Sequence, residues 1–223
     1  MELRYDKLYG KELREAIDRK PLAWVPVGIL EKHGEHLPYG LDTEKAHLIC
    51  LRLARKLGGI VLPASHLAGV HQPWIRNKQR FNASLCELGN FYLRPSTFRM
   101  LLEDTVAGLA NLGFKQIVLY SGHYPLLQQD ILEAVAKKTS RSKKLFVFAF
   151  YEWKCFKDGD HAGKWETSFF MGLNQPVRMN KVRDSQHFDR WPKDSPPSRA
   201  FGEKALRELE RYFRKVLRQD RTD

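Results

Sequence analysis

The segment Glu31-Lys32-His33-Gly34-Glu35-His36-Leu37-Pro38, with Asp42 just beyond it, gathers imidazoles and carboxylates within twelve positions. Alternation along an extended chain puts Glu31 and His33 on one side, and Asp42 at the start of a helix can turn its carboxylate back towards them. Imidazole together with carboxylate suits zinc, manganese or iron(II). The plainer use of the same residues is structural, with Asp42 as a helix cap and the histidines hydrogen-bonded within the loop. A second cluster is Ser121-Gly122-His123-Tyr124, where Gly122 allows a tight turn that projects His123. A third is Asp160-His161-Ala162-Gly163 with Glu166-Thr167-Ser168. Its His161 and Glu166 can supply a general acid or base and one more metal carboxylate, or they can simply cap a helix.

Each cluster follows an apolar run of strand length and precedes a helical pattern. Leu22–Ile29 is such a run, and after the loop 30–41 the residues Ala46, Ile49, Cys50, Leu53 and Leu57 share one helix face, closed by Gly58 and Gly59. Ile60–Pro63 reads as a second strand. Some thirty residues with little periodicity follow, with His66, His71, Trp74 and Arg76 among them, as in a functional loop. Pro95–Leu112 reads as a helix capped by Gly113, Gln116–Tyr120 as a buried strand, and Pro125–Lys138 as the next helix. Leu145–Tyr151 is a further strand, and an amphipathic helix over Arg199–Leu217 ends the pattern. Strands alternating with helices predict an α/β domain on a mainly parallel sheet. Ligands of such sheets sit beyond the carboxyl ends of the strands, where all three clusters fall.

The 223 residues, 43% hydrophobic and 29% charged, suffice for one large domain over 1–223 and exclude collagen-like and wholly disordered classes. The N-terminus lacks a signal-type apolar region, and no run approaches the roughly 18 apolar residues of a membrane span. Cys50, Cys86 and Cys155 are odd in number and far apart, so no disulfide framework is expected. A soluble, cytoplasmic protein follows from these features. The net charge of +12 raises nucleic acid as a partner. The basic runs Lys137–Lys144 and Arg207–Arg221 fit a solvated face better, and the second lies among Glu203, Glu208 and Glu210.

WVPVGILEKHGEHLPYGLDT resembles the signature of the creatininase (creatinine amidohydrolase) family, with an Asp eleven positions after the Glu. SGHYP resembles that family's Asn-Gly-His turn, and DHAGKWETS its His-Ala-Gly-x-x-Glu-Thr-Ser block, in the same order over about residues 22–182. The resemblance implies a three-layer α/β/α fold and a metal-dependent hydrolase of amide, lactam or formamide C–N bonds. It also implies a two-metal centre in which Glu31 and His123 bind one ion, His33 the other, and Asp42 bridges them. His161 would protonate the departing nitrogen, and His36 would orient the loop or a ligand.

Creatininase proper carries a Glu two positions after the histidine matching His123; here that position is Pro125, so Glu166 is the candidate replacement and a one-metal site the alternative. Lys32, Glu35 and Asn82-Ala83 also depart from the family pattern and point away from creatinine itself. The expected substrate is a small polar molecule with room for an anionic group, with Tyr124, Lys157 and Asp160 as contacts and Lys32, Arg76 and Lys78 as further cations. Zinc is the expected ion, with manganese or iron(II) as alternatives, at one or two per chain. Family members commonly form homo-oligomers, and the stripe Phe201, Leu206, Leu209, Phe213 and Leu217 is available for internal packing or for a neighbour. The rival reading is a basic nucleic-acid-binding or structural module on the same fold with an eroded metal site.

Overall fold

The computed structural model describes residues 2–71, 89–140, 145–184 and 195–219. Four strands, β1 (Leu22–Val27), β2 (Ile60–Val61), β3 (Gln116–Ser121) and β4 (Phe146–Tyr151), form a parallel sheet in the order β2-β1-β3-β4. β1 and β3 run in full register from Leu22 opposite Gln116 to Val27 opposite Ser121, and β3 pairs with β4 in the same way. Every residue of β1 and β3 is buried, as expected of parallel strands covered on both faces.

The period of two along the strands sorts the core into two layers. Ala23, Val25 and Val27 of β1, with Ile117 and Leu119 of β3, face helices α1 (Gly10–Arg19), α3 (Pro95–Leu112) and α4 (Leu126–Thr139). Leu22, Trp24, Val118, Tyr120 and Phe150 face α2 (Leu41–Leu57), α6 (Lys164–Gly172) and α7 (Arg199–Gln219). A short α5 (Trp153–Phe156) follows β4. This is the three-layer α/β/α arrangement expected. The α7 stripe packs inside the chain: Leu206, Leu209, Phe213 and Leu217 are buried. The Phe213 ring lies 4.5 Å from Phe150 and 5.2 Å, edge-on, from Trp24. Four of the five stripe residues are thus taken up by internal packing, and Phe201 is half-buried.

β1 ends two residues before its apolar run does. Trp24 O accepts from Leu62 N, so the even-numbered residues of β1 face β2. Pro26, which has no N–H to give, falls beyond the end of that two-residue strand. Gly28 then turns the chain away beneath α2, where a Cβ would stand 2.6 Å from Thr43 N. Trp74, Arg76, Lys78, Asn82, Ala83, Cys86, Lys143 and Lys144 lie outside the described residues. Among those described, no helix is long and apolar enough to cross a membrane.

Candidate metal centre

The three loops that leave β1, β3 and β4 at their carboxyl ends converge on one cleft of about 480 Å³. Its described lining includes Glu31, Lys32, Asp42, His123, His161 and Glu166. Two glycines bring the loops together. Besides Gly28, Gly122 lies against the first turn of α2, where a Cβ would stand 2.0 Å from the Asp42 carbonyl oxygen. Gly122 is thus required by close approach and not by a left-handed turn, and that approach sets His123 beside Asp42. Asp42 does not cap α2. The cap position is Gly40, without a side-chain bond, and Asp42 in the first turn points its carboxylate into the cleft.

The side chains meet at short range. His123 Nδ1 lies 3.1 Å from Glu31 Oε2 and 3.2 Å from Asp42 Oδ2. His33 Nε2 lies 3.3 Å from Asp42 Oδ1 and 3.7 Å from Glu166 Oε2. The far nitrogen of each ring is anchored to a carbonyl: His33 Nδ1 donates to Glu31 O at 2.8 Å, and His123 Nε2 donates to Val70 O at 3.1 Å. A carbonyl only accepts, so each ring keeps its proton there and aims the other nitrogen at the carboxylates. Among the described residues, Glu31 Oε2, His33 Nε2 and both Asp42 oxygens are buried without a hydrogen-bond partner. Buried polar atoms left this way are costly. With His123 and Glu166 the cluster offers two imidazoles and three carboxylates, a donor set that suits a zinc- or manganese-type ion.

Electrostatics without an ion follow from the same packing. Burial alone would lower both histidines, but Asp42 and Glu166 outweigh it at His33, and Glu31 and Asp42 at His123, raising them to about 9 and about 10. Burial would raise Asp42, yet the two histidines hold it well below the usual carboxylate range; Glu31 is lowered mainly by His123 against the same burial. A cation at these nitrogens therefore competes with protons.

His161 lies at the mouth, its side chain 40% exposed, with Nδ1 4.0 Å from Glu31 Oε2 and its ring tilted over His33 at 4.6 Å. His161 Nε2 is held by the Lys32 carbonyl at 3.0 Å, which leaves Nδ1 facing the cleft. The next residue, Ala162, has φ +53 and is fully buried. Its N–H donates to Glu166 Oε2 at 2.7 Å, a contact that holds this strained backbone in place. His36 sits deeper, its Nε2 3.2 Å from Thr167 Oγ1, and ties the first loop to α6 beside Glu166. Burial, with His33 nearby, lowers it to about 4, so it stays neutral.

Two of the expected substrate contacts have other roles. Both oxygens of Asp160 accept α6 backbone N–H groups, from Trp165 at 2.7 Å and Glu166 at 3.2 Å, so it acts as the cap of that helix while lining the cleft. Lys157 is exposed and outside the described lining. It ends α5 in the left-handed region, and its ammonium lies over the Trp153 ring at 4.8 Å. Tyr124 does line the cleft, as does Lys32, whose ammonium is 3.7 Å from Glu35.

Other residues reach the cluster without any motif to mark them. Tyr92 donates to Glu31 Oε1 at 3.1 Å and accepts from Asn90. Lys45 and Glu152 lie buried behind Glu166. The one available signal is that Lys45 follows Asp42 by three residues, a spacing that puts both on one helix face.

A family model described as "Creatininase: Creatinine amidohydrolase" matches residues 6–212. A creatinine amidohydrolase of Pseudomonas putida is 29% identical over 185 residues, which is 72% of this chain and 67% of that protein. Among solved structures, one described as "Creatininase Mn" superposes with a TM-score of 0.76 at 19% identity over 100% of both chains. A mutant creatininase of "Zn-Zn type" does so with a TM-score of 0.74 at 19% identity, again over 100% of both.

Proposed function

The chain belongs to the creatininase family of metal-dependent amidohydrolases, and from that premise we propose that it hydrolyses a C–N bond of a small polar amide, lactam or formamide at a two-metal centre, in which Glu31, Asp42 and His123 would hold one ion and His33, Asp42 and Glu166 the other. The observation that carries this is the division of the Asp42 carboxylate. Its Oδ2 faces His123 in the set Glu31, Asp42, His123, while its Oδ1 faces His33 in the set His33, Asp42, Glu166. Glu166 fills the role that Pro125, which has no ligand atom, leaves open. Related creatininases described as Mn and Zn-Zn forms support a divalent ion.

A pair of divalent ions supplies Lewis acidity, lowering the pKa of a water and polarising the carbonyl under attack. The chain's own residues do the rest. His33 and His123 are held in the ligating tautomer by backbone carbonyls, with no rotation left to order on binding. Burial of Glu31, Asp42 and Glu166 excludes water from their oxygens and strengthens their pull on a cation. His161 delivers a proton from Nδ1 to the departing nitrogen, a step an amide requires because its anion leaves poorly. Lys32 at the rim offers a charge for an anionic substrate group. Free Cys50 and Cys155 fit a cytoplasmic setting.

The nucleic-acid alternative is weakened by ion pairs within the basic helix itself, Arg211 with Glu208 at 3.6 Å and Arg207 with Glu203 at 3.8 Å. The test is elemental analysis of the purified protein, followed by turnover of a panel of lactams, formamides and linear amides, neutral and anionic, with zinc or manganese. Two ions per chain and chelator-sensitive turnover are expected. No bound ion after reconstitution, with no turnover, refutes the proposal.

A further inference from the structure

Lys45 is fully buried, and its ammonium touches neither solvent nor the cleft. It lies 3.2 Å from Glu166 Oε1 and 3.4 Å from Glu152 Oε2, with the Tyr124 ring 5.6 Å away. Glu152 is fixed in turn, its Oε1 accepting from Tyr120 OH at 3.1 Å. Glu166 is therefore gripped at both oxygens: Oε1 by Lys45, and Oε2 by the Ala162 N–H at 2.7 Å, on the side that faces His33 Nε2. Buried ion pairs contribute little to stability, because apolar side chains of similar volume serve as well. What the ammonium supplies, and a methyl group cannot, is a fixed counter-charge and a fixed orientation for Glu166.

We propose that Lys45 is the positioning residue of the second metal site: it holds Oε1 of Glu166 away from the cleft, so that Oε2 alone is left on the side of His33 and Asp42. This rests on the reading of Glu166 as a metal carboxylate. Without the ammonium, nothing fixes Oε1 of Glu166 on the far side of the cleft, and a carboxylate free to turn is a poorer ligand. Glu152 touches Lys45 and Tyr120 and none of the candidate ligands, so it anchors the device from behind.

The experiment titrates the metal-free full-length protein with Zn²⁺ alone, and separately with Mn²⁺ alone, reading stoichiometry, affinity and melting temperature. Lys45→Met is expected to weaken one of the two ions about 10- to 100-fold, the range found for groups that orient a ligand, and to leave the other ion in place. Glu152→Gln, which keeps the Lys45–Glu166 contact, is expected to bind both ions as the parent does. If Lys45→Met fails to fold, the double variant Lys45→Met with Glu152→Gln removes the stranded carboxylate and should show the same selective loss.

Retention of both ions at parental affinity in the Lys45 variants, while Glu166→Gln loses one, overturns the proposal and leaves Glu166 as a ligand. Loss of both ions in step with a falling melting temperature also overturns it, since Lys45 would then be structural only. If Glu166→Gln binds metal as the parent does, the underlying reading fails and the proposal falls with it.

Discussion

Two clusters of buried charge lie side by side at the carboxyl edge of the sheet, and they are finished differently. In the inner one, Lys45, Glu152 and Tyr120 satisfy one another at 3.1–3.4 Å, and the balance closes within the protein. In the outer one, Glu31, His33, Asp42 and His123 approach just as closely, yet among the described residues four of their candidate ligand atoms have no hydrogen-bond partner. Composition alone does not separate a structural network from a binding site; the atoms left over do. Glu166 belongs to both, with one oxygen in each cluster, which makes it the joint through which the closed network shapes the open one.

The strongest way to break this comparison is Asp42→Ala, which removes the carboxylate common to both sets. Activity is expected to fall to background, because the several kcal/mol a cation contributes to the transition state correspond to roughly 10³-fold or more. Added zinc should no longer raise the melting temperature, as it must for the parent if ions bind the folded state. A variant that still gains stability from zinc would contradict the assignment. Next comes His161→Ala, at the rim of the open cluster. Turnover should drop about 10²- to 10⁴-fold, the usual range for a general acid or base, with metal content unchanged. Loss of an ion would make His161 a ligand instead.

The subtlest effect is a crossing of pH dependences. In the metal-free protein His33 and His123 are raised to about 9 and about 10, above their unfolded values, so their stabilisation is complete below about pH 6.5 and is lost as pH rises through 9 and 10. Chemical denaturation without metal should therefore show a lower midpoint at pH 10.5 than at pH 7. Metal binding needs the same rings unprotonated, so the stabilisation added by zinc should grow between pH 6 and pH 8. Parallel pH trends with and without metal would show that the ion does not displace protons from these histidines.

Much of this was legible in the chain itself. Apolar runs of the right length located the four strands, and their nearly unbroken apolar character fits a sheet covered on both faces. The Glu31-to-Asp42 spacing and the two later clusters identified the carboxyl edge as the place for chemistry, since each followed a buried strand. Pro125, standing where the resembled family carries Glu, left the second site short of a carboxylate, with Glu166 as the candidate replacement and a one-metal site as the alternative. Lys157 could not be judged in this way, because the left-handed backbone at the end of α5 turns it onto Trp153 and no local pattern announces that turn. Asp160 offered two roles, and only the reach of its oxygens to two α6 N–H groups chose the cap.

The sequence by itself determined the elements, the order of the loops and the inventory of ligand types, because these depend on short-range periodicity and residue chemistry. Tertiary structure alone decided which oxygen of Asp42 faces which histidine, and that Lys45 stands behind Glu166. Those relations join residues up to 121 positions apart, from Lys45 to Glu166. They exist only because Gly28 and Gly122 let α2 settle directly on the sheet edge, where a single Cβ would have held it away.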